Sequence, residues 1–328
     1  MNDAPFSNPE PSPEPDAAQP AAPQSTRPQP RPSATVHRIF QSRSLIFVLL
    51  RIGMYVTLST GITFAVLWVA AALVHGHHGA YSPVTLSISE IGQVAGVFAA
   101  ALIMSQLERR RFGDYGLPAR GAFGRLFWQG ALFGLAEISA VIGFIAAFGS
   151  YHFGPLAIHG GNVLRWAAFW LAFFILVGLY EEFAFRGYVQ FTLAQAVTFW
   201  PAAIVLSVAF GLVHITNPGE SMLGVAGVIL AGLFWCFTLR RTGNLWFAVG
   251  MHAAFDFGET FLYSVPDSGV VFQGHLSNAT LAGPRWLTGG STGPEASLCD
   301  FVALLIMFYV FHKLYPRSPQ SSHQRPSL

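Results

Sequence analysis

The feature that most constrains this chain is a series of apolar stretches, each close to the ~20 residues that an α-helix needs to cross a bilayer. Composition agrees, because 52% of the 328 residues are hydrophobic and only 10% are charged. A soluble domain of this size needs more charge to keep its surface hydrated. We therefore predict an all-α, polytopic transmembrane helical bundle of about eight helices. Their approximate bounds are 52–74, 84–106, 127–149, 167–192, 199–216, 222–239, 244–265 and 297–314.

The positions of the basic residues support an even number of helices. With eight helices, one side of the membrane carries only Arg165 and Arg285 in its loops. Cytoplasmic loops hold the excess of Lys and Arg, so both termini are predicted to be cytoplasmic, in a multi-pass cell membrane (plasma or inner). These short basic clusters follow topology and do not indicate nucleic-acid binding. The basic residues assigned to the cytoplasmic side are Arg38, Arg43, Arg51, Arg109, Arg110, Arg111, Arg120, Arg125, Arg240, Arg241, Lys313 and Arg317.

The two ends of the chain differ from its middle. Residues 1–36 hold ten of the 21 prolines and no apolar run. Such a segment cannot bury enough surface to offset its chain entropy, so we predict a disordered, cytoplasmic N-terminal tail. It lacks the hydrophobic core of a cleavable signal peptide, and the first helix is expected to act as the insertion signal. A transmembrane domain at 44–315 and a disordered C-terminal tail at 316–328 complete the predicted organisation.

Ionisable side chains inside the predicted spans are the candidates for function, because a charge at the bilayer centre costs at least ~2.5–3.5 kcal/mol. Glu181 and Glu182 are adjacent, and neighbouring helix positions point ~100° apart. Only one of the two can face a central cavity. Glu182 lies one turn from Arg186 and is well placed to pair with it, which leaves Glu181 for the cavity. A purely structural ion pair is the alternative for this segment.

Two histidines and an aspartate lie on later helices. His214 ends an apolar run with Phe210 one turn before it, while His252 and Asp256 share a helix face ~6 Å apart at i, i+4. Zn²⁺ accepts imidazole and carboxylate ligands, and a spare carboxylate such as Glu181 can take a proton from water. The alternatives are a buried core histidine and a His–Asp hydrogen bond that only joins two helices.

The predicted depth of His214 creates a geometric difficulty. Straight helices place it near the outer end of its span, about 10 Å from the midplane at ~1.5 Å per residue. Glu181 and His252 lie near the middle of their helices. A shared site therefore requires tilt, a shifted fifth helix or a cavity that reaches outward.

Other polar signals are weaker. Glu137 lies mid-helix and is expected to be a protonated, hydrogen-bonded carboxyl, and Glu90 and Glu259 either support the site or make polar helix contacts. The chain contains no HExxH, P-loop or GxGxxG motif. A GGSTG segment at 289–293 matches the pattern of serine hydrolases, but it lies in a glycine-rich outer loop and lacks the strand–turn–helix context.

Three polar segments, in this order and spacing, resemble the motifs of the CPBP family of intramembrane proteases (CAAX-protease and bacteriocin-processing, also called Abi or Rce1-like). The first motif, EExxxR, is Glu181–Arg186; the second, FxxxH, is Phe210–His214; the third, Hxxx(N/D), is His252–Asp256. The core of the resemblance covers about 125–265. The third motif often has Asn where this chain has Asp256, and the additional negative charge favours a cation.

The resemblance implies a membrane endopeptidase of metalloprotease type, acting on a membrane-embedded or membrane-anchored protein or peptide. It implies that Glu181 activates the water, and that Glu182 and Arg186 hold the geometry. The remaining motif residues would bind Zn²⁺ or another divalent metal, with Glu181 as a further ligand, or orient the water and the oxyanion: His214, His252 and Asp256. Two other functions stay open, a non-catalytic membrane partner or immunity protein, and a proton-coupled transporter.

Overall fold

The computed structural model describes residues 39–74, 79 and 81–316. The predicted tails, 1–36 and all of 316–328 except Pro316, lie outside these described residues. Within them a single short pair of antiparallel strands, β1 (Tyr151–His152) and β2 (Thr280–Leu281), interrupts a helical architecture. The all-α prediction is confirmed. The helices are α1 Leu45–Leu73, α2 Pro83–Glu108, α3 Arg125–Ala147, α4 Gly161–Arg186, α5 Tyr188–Val197, α6 Phe199–Val213, α7 Met222–Thr242, α8 Trp246–Phe257, α9 Arg285–Thr288 and α10 Leu298–Leu314.

Six helical segments of the described residues are long and apolar enough to cross a membrane. They correspond to the first six predicted spans, with α4 and α5 together forming one of them. The last two predicted spans are helical but shorter: α8 has 12 residues before a π-helix at Gly258–Leu262, and α10 has 17. The chain is therefore a multi-pass membrane protein. That α8 and α10 also span the membrane, and that both termini are cytoplasmic, stay predictions.

The prediction of one continuous helix over 167–192 is wrong. The helix ends at Arg186, and a new one begins at Tyr188 after a bend at Gly187, whose ψ is −121°. A Cβ at Gly187 would lie 2.4 Å from the carbonyl oxygen of Phe183, closer than any real side chain allows. The first polar motif consequently occupies the last turns of α4 and not the middle of a helix.

Close packing between α3 and α8 sets the position of the third motif. A Cβ at Gly130 of α3 would lie 2.0 Å from the carbonyl oxygen of Phe247, and one at Gly250 of α8 would lie 2.1 Å from that of Phe127. The two backbones can approach this closely only because both positions lack a side chain. α8 carries His252, so this contact places the histidine in the bundle.

A buried polar cluster joins α1, α2 and α5. Arg51 and Glu108 are almost fully buried and lie 3.6 Å apart, Nη1 to Oε1. Tyr115 and Tyr188 each donate a hydroxyl hydrogen bond to Glu108. The cluster compensates a buried charge pair with hydrogen bonds, as a buried ion pair requires, and none of its members lines the cavity described below.

The segment 263–297, between the π-helix and α10, folds back on the bundle. The N–H of Leu276 donates to the carbonyl oxygen of Phe261 (3.1 Å), and that of Gly269 donates to Thr292 (2.8 Å). The segment ends in a 3₁₀ turn at Pro294–Ala296 that leads into α10. It thereby brings polar residues from outside the predicted spans against the end of α8.

Candidate active site

A cavity of about 290 Å³ lies between α2, α3, α4, α6, α7, α8, α10 and the 263–297 segment. Four of the residues that the sequence singles out line it: Glu181, His214, His252 and Asp256. Two others, Glu182 and Arg186, are fully buried behind it. The structure therefore brings residues from α4, α6 and α8 to one place, as a shared site requires.

His252 occupies the centre of the polar cluster. Its Nδ1 lies 3.1 Å from Oε1 of Glu182, and its Nε2 lies 3.6 Å from Oε2 of Glu181 and 3.4 Å from Oδ2 of Asp256. The imidazole ring stacks on Trp235 with centroids 4.5 Å apart and planes 13° apart. The carboxylates and the indole together determine the plane and direction of the ring. Sequence reasoning did not identify Trp235, because nothing in α7 marks which of its residues faces α8.

The two adjacent glutamates have different environments. The side chain of Glu181 is 22% exposed and faces the cavity, whereas that of Glu182 is fully buried. Oε1 of Glu182 accepts a hydrogen bond from Nη1 of Arg186 at 3.2 Å, which confirms the predicted pairing. The guanidinium of Arg186 also lies over the ring of Phe210, 4.1 Å from its centroid. Glu182 is thus held between a cation and His252, and Glu181 is left accessible.

His214 reaches the cavity because α6 ends at Val213, just before it. It begins a 3₁₀ turn, His214–Thr216, and its Nδ1 donates to the carbonyl oxygen of Phe210 at 2.8 Å. The ring of Phe210 lies 4.8 Å from the ring of His214 and 6.4 Å from that of His252, centroid to centroid. The cavity lined by Glu181 and His252 therefore extends to His214 at the end of α6. The Nδ1–H of His214 is used by the backbone, so Nε2 is its nitrogen for a ligand.

The donor set predicted for zinc does not form a closed ligand group. Ligand atoms of one Zn²⁺ ion lie ~2.0–2.2 Å from the metal, which places them within about 4.4 Å of one another. Glu181, His252 and Asp256 do not form such a group in the described part of the chain. Zn²⁺ or another divalent metal at this site stays a prediction.

Further carboxylates line the cavity, and several were not identified from the sequence. Glu90 of α2 is half-buried. The side-chain amide of Gln93 donates to its Oε1 at 2.9 Å. Glu137 of α3 is buried, and its Oε1 has no hydrogen-bond partner among the described residues; the protonated, hydrogen-bonded carboxyl stays a prediction. Asp267, Glu295 and Asp300 also line the cavity. The first two lie outside the predicted spans, and a search for charges within spans could not find them.

One family comparison matches the part of the chain that carries the site. Residues 163–258 match the family described as type II CAAX prenyl endopeptidase Rce1-like. The matched segment runs from the first turn of α4 to the end of α8 and contains all three motifs, so the resemblance inferred from them is confirmed there. The match is narrower than the predicted core of 125–265. No curated protein and no solved structure matches the chain.

Proposed function

We propose that this chain is an intramembrane endopeptidase of the CAAX-protease type that hydrolyses a peptide bond in a membrane-embedded or membrane-anchored protein. The observation that carries the proposal is the environment of Glu181. Its carboxylate reaches a cavity beside His252 and Asp256, while the adjacent Glu182 is fully buried and paired. The match of residues 163–258 to a family of CAAX prenyl endopeptidases supports the same function.

Glu181 acts as the general base in the proposed reaction. Its carboxylate takes a proton from a water molecule as the water oxygen attacks the carbonyl carbon of the substrate. When the carbon–nitrogen bond breaks, the protonated Glu181 returns that proton to the leaving amine nitrogen. One water is consumed, a carboxyl and an amine are formed, and Glu181 ends in its original state.

The other residues of the site position the reacting groups and stabilise the oxyanion. Glu182, Arg186 and Trp235 hold His252 so that its Nε2 faces Glu181 and Asp256. His214 has Nε2 available to orient the water or the oxyanion, because its Nδ1–H is already bonded to Phe210. Donors placed in advance around a developing charge are among the largest contributions to catalysis.

The cavity wall suits an apolar substrate segment. Alongside its polar residues the cavity is lined by apolar side chains from α2, α4 and the 263–297 segment: Leu86, Phe173, Phe174, Val177 and Phe272. Apolar pockets with a few convergent polar groups are typical of substrate sites. The predicted divalent metal at His214, His252, Asp256 and Glu181 is not used in any step above, and elemental analysis of the purified protein tests for it.

Product analysis of membrane peptides incubated with wild type and with Glu181→Gln tests the proposal. The variant keeps the shape of the side chain but removes the base, so we expect cleavage to fall by about 10²–10⁴-fold. Glu108→Gln is the control, since it neutralises another glutamate of the helical bundle, and Glu108 lies outside the cavity. It should lower thermal stability and retain cleavage per folded molecule.

The outcomes separate the three functions. Identical fragments from wild type and Glu181→Gln contradict the proposed mechanism. A non-catalytic membrane partner yields no fragments even from wild type. A proton-coupled transporter yields pH-driven flux in vesicles without cleavage.

A further inference from the structure

A second group of carboxylates lies beyond the proposed catalytic residues. Oxygen atoms of Glu259, Asp267 and Glu295 all lie within 4.8 Å of one another. Glu259 belongs to the π-helix at Gly258–Leu262, Asp267 to the loop after it and Glu295 to the 3₁₀ turn before α10. The three are up to 36 positions apart in the chain, so only the tertiary fold brings them together. π-helical turns within helices often occur at functional sites.

Glu259 is the least compensated member of this group. It is fully buried, and neither of its carboxylate oxygens has a hydrogen-bond partner among the described residues. Its strongest electrostatic neighbours are also acidic, namely Glu295, Asp267, Asp256 and Asp300. A buried carboxylate without a partner is strongly unfavourable, so this position calls for a cation or a proton.

The other two carboxylates are held in place by hydrogen bonds. Oδ2 of Asp267 accepts from the hydroxyl of Thr260 at 2.9 Å. Oε1 of Glu295 accepts from the backbone N–H of Ser268, and Oε2 accepts from the Ser268 hydroxyl at 3.2 Å. Two of the three ligand carboxylates are therefore positioned in advance, and the loop carrying Asp267 is tied to the turn carrying Glu295.

Negative charge is crowded in this part of the molecule. Burial, followed by the charge of Asp256, raises the pKa of Asp267 well above its ordinary value. Burial, followed by the charges of Asp267 and Glu220, raises the pKa of Glu295 to about 8. Burial is the larger cause of both shifts, and repulsion between the carboxylates adds to it.

We propose that Glu259, Asp267 and Glu295 bind a hard divalent cation of the Ca²⁺ class. Ca²⁺ takes oxygen ligands at ~2.3–2.6 Å, so atoms on opposite sides of one ion lie about 5 Å apart, which accommodates the 4.8 Å spread. Mg²⁺ holds its ligands at ~2.0–2.1 Å in strict octahedral geometry and would require contraction. An all-oxygen set with no imidazole or thiolate disfavours Zn²⁺.

The cation would connect the 263–297 segment to the end of α8. That segment contributes Asp267, Ser268, Val270 and Phe272 to the wall of the cavity. Cation binding would therefore stabilise this part of the cavity wall. Binding of the cation does not depend on the proposed protease function. A chelator that removes the cation would destabilise the protein whether or not a metal takes part in catalysis.

Direct binding of Ca²⁺ to the full-length protein tests the proposal. Protein in detergent is treated with a chelator and dialysed. Radioactive Ca²⁺ binding and thermal unfolding are then measured with Ca²⁺ at ~0.1–1 mM, the range in which extracellular Ca²⁺ modules bind. We expect one Ca²⁺ per chain and a rise in Tm of several degrees, with a smaller rise for Mg²⁺. Glu259→Gln and Asp267→Asn should each abolish both effects.

Glu90→Gln is the matched control, because it neutralises another carboxylate of the cavity wall, one that is half-buried and lies outside the group. It should still bind one Ca²⁺. Wild type without saturable Ca²⁺ binding, or binding that survives both Glu259→Gln and Asp267→Asn, overturns the proposal. A third result would also overturn it: Ca²⁺ leaves the Tm of wild type unchanged, and Glu259→Gln is more stable than chelated wild type. The three carboxyl groups would then be protonated and not bound to a cation. If Glu259→Gln does not fold, Ca²⁺ binding by wild type and by Asp267→Asn tests the proposal instead.

The readouts keep this inference separate from the protease proposal. Loss of cleavage in Glu181→Gln with unchanged Ca²⁺ binding supports both. Absent Ca²⁺ binding with normal cleavage by wild type overturns the cation site alone.

Discussion

At the scale of single residues, the site depends on one carboxylate oxygen that serves two partners. Oε1 of Glu182 lies 3.2 Å from Nη1 of Arg186 and 3.1 Å from Nδ1 of His252, and the glutamate and arginine are fully buried. Nε and Nη2 of Arg186 have no hydrogen-bond partner among the described residues, and the guanidinium is instead packed against the ring of Phe210. The arginine therefore stabilises the buried charge of Glu182, and Glu182 orients the histidine.

Removing only one charge of this pair should be worse than removing both. Arg186→Met leaves Glu182 buried without its cation, and we expect a loss of about 3–5 kcal/mol in the free energy of unfolding. The double variant Glu182→Gln/Arg186→Met should lose less, because no uncompensated charge remains. Denaturant unfolding of both variants measures the difference. Equal losses would mean that the pair contributes by packing alone.

At the scale of elements, the approach of α3 to α8 determines where His252 lies. Two glycines let each backbone contact the carbonyl oxygens of the other helix. The position of His252 therefore depends on a contact made at two glycines, which have no side chain that could take part in a reaction. Glycines within an apolar helix would otherwise be unfavourable for helix formation, and their presence here has a packing reason.

Gly130→Ala tests this contact. The new methyl group would lie 2.0 Å from the carbonyl oxygen of Phe247, so the helices must separate, at a cost of about 1–3 kcal/mol in stability. Displacement of α8 should also lower cleavage per folded molecule. Gly143→Ala on the same helix is the control, because no atom lies within 4 Å of its added Cβ, and its stability should be unchanged or higher. Equal stability of the two variants would show that the helices are not in close contact.

At the scale of the whole molecule, the arrangement of arginines predicts which loops face the cytoplasm. Arg120 lies in an exposed loop between α2 and α3, and Arg285 is exposed on the 263–297 segment. With eight spans and both termini cytoplasmic, as predicted, these two residues lie on opposite sides of the membrane. The proposed cation site then shares the outer side with Arg285.

Labelling of single cysteines checks this topology. With Cys236 and Cys299 first replaced by serine, Arg285→Cys should react with a membrane-impermeant maleimide in intact cells. Arg120→Cys should react only after the membrane is permeabilised, because positive loops are retained inside. The reverse pattern, or labelling of both in intact cells, contradicts the predicted orientation.

What could be predicted from the sequence follows from the cost of placing polar groups in a bilayer. Apolar length reveals the spans, and charges within those spans are conspicuous, which is why Glu181, Glu182, His252 and Asp256 stand out. The pairing of Glu182 with Arg186 was also predictable, since it depends only on helical spacing. These inferences are local: each requires one helix and the solvent around it.

The tertiary structure decided everything that depends on how segments of the chain meet. The bend at Gly187, the stacking of Trp235 on His252 and the arrival of His214 at the cavity through a 3₁₀ turn are not visible in hydropathy. The same holds for Glu259, Asp267 and Glu295, which come from separate segments. Hydropathy reports the affinity of each residue for lipid, whereas these features arise from contacts between residues distant in sequence, and only the packed bundle determines those.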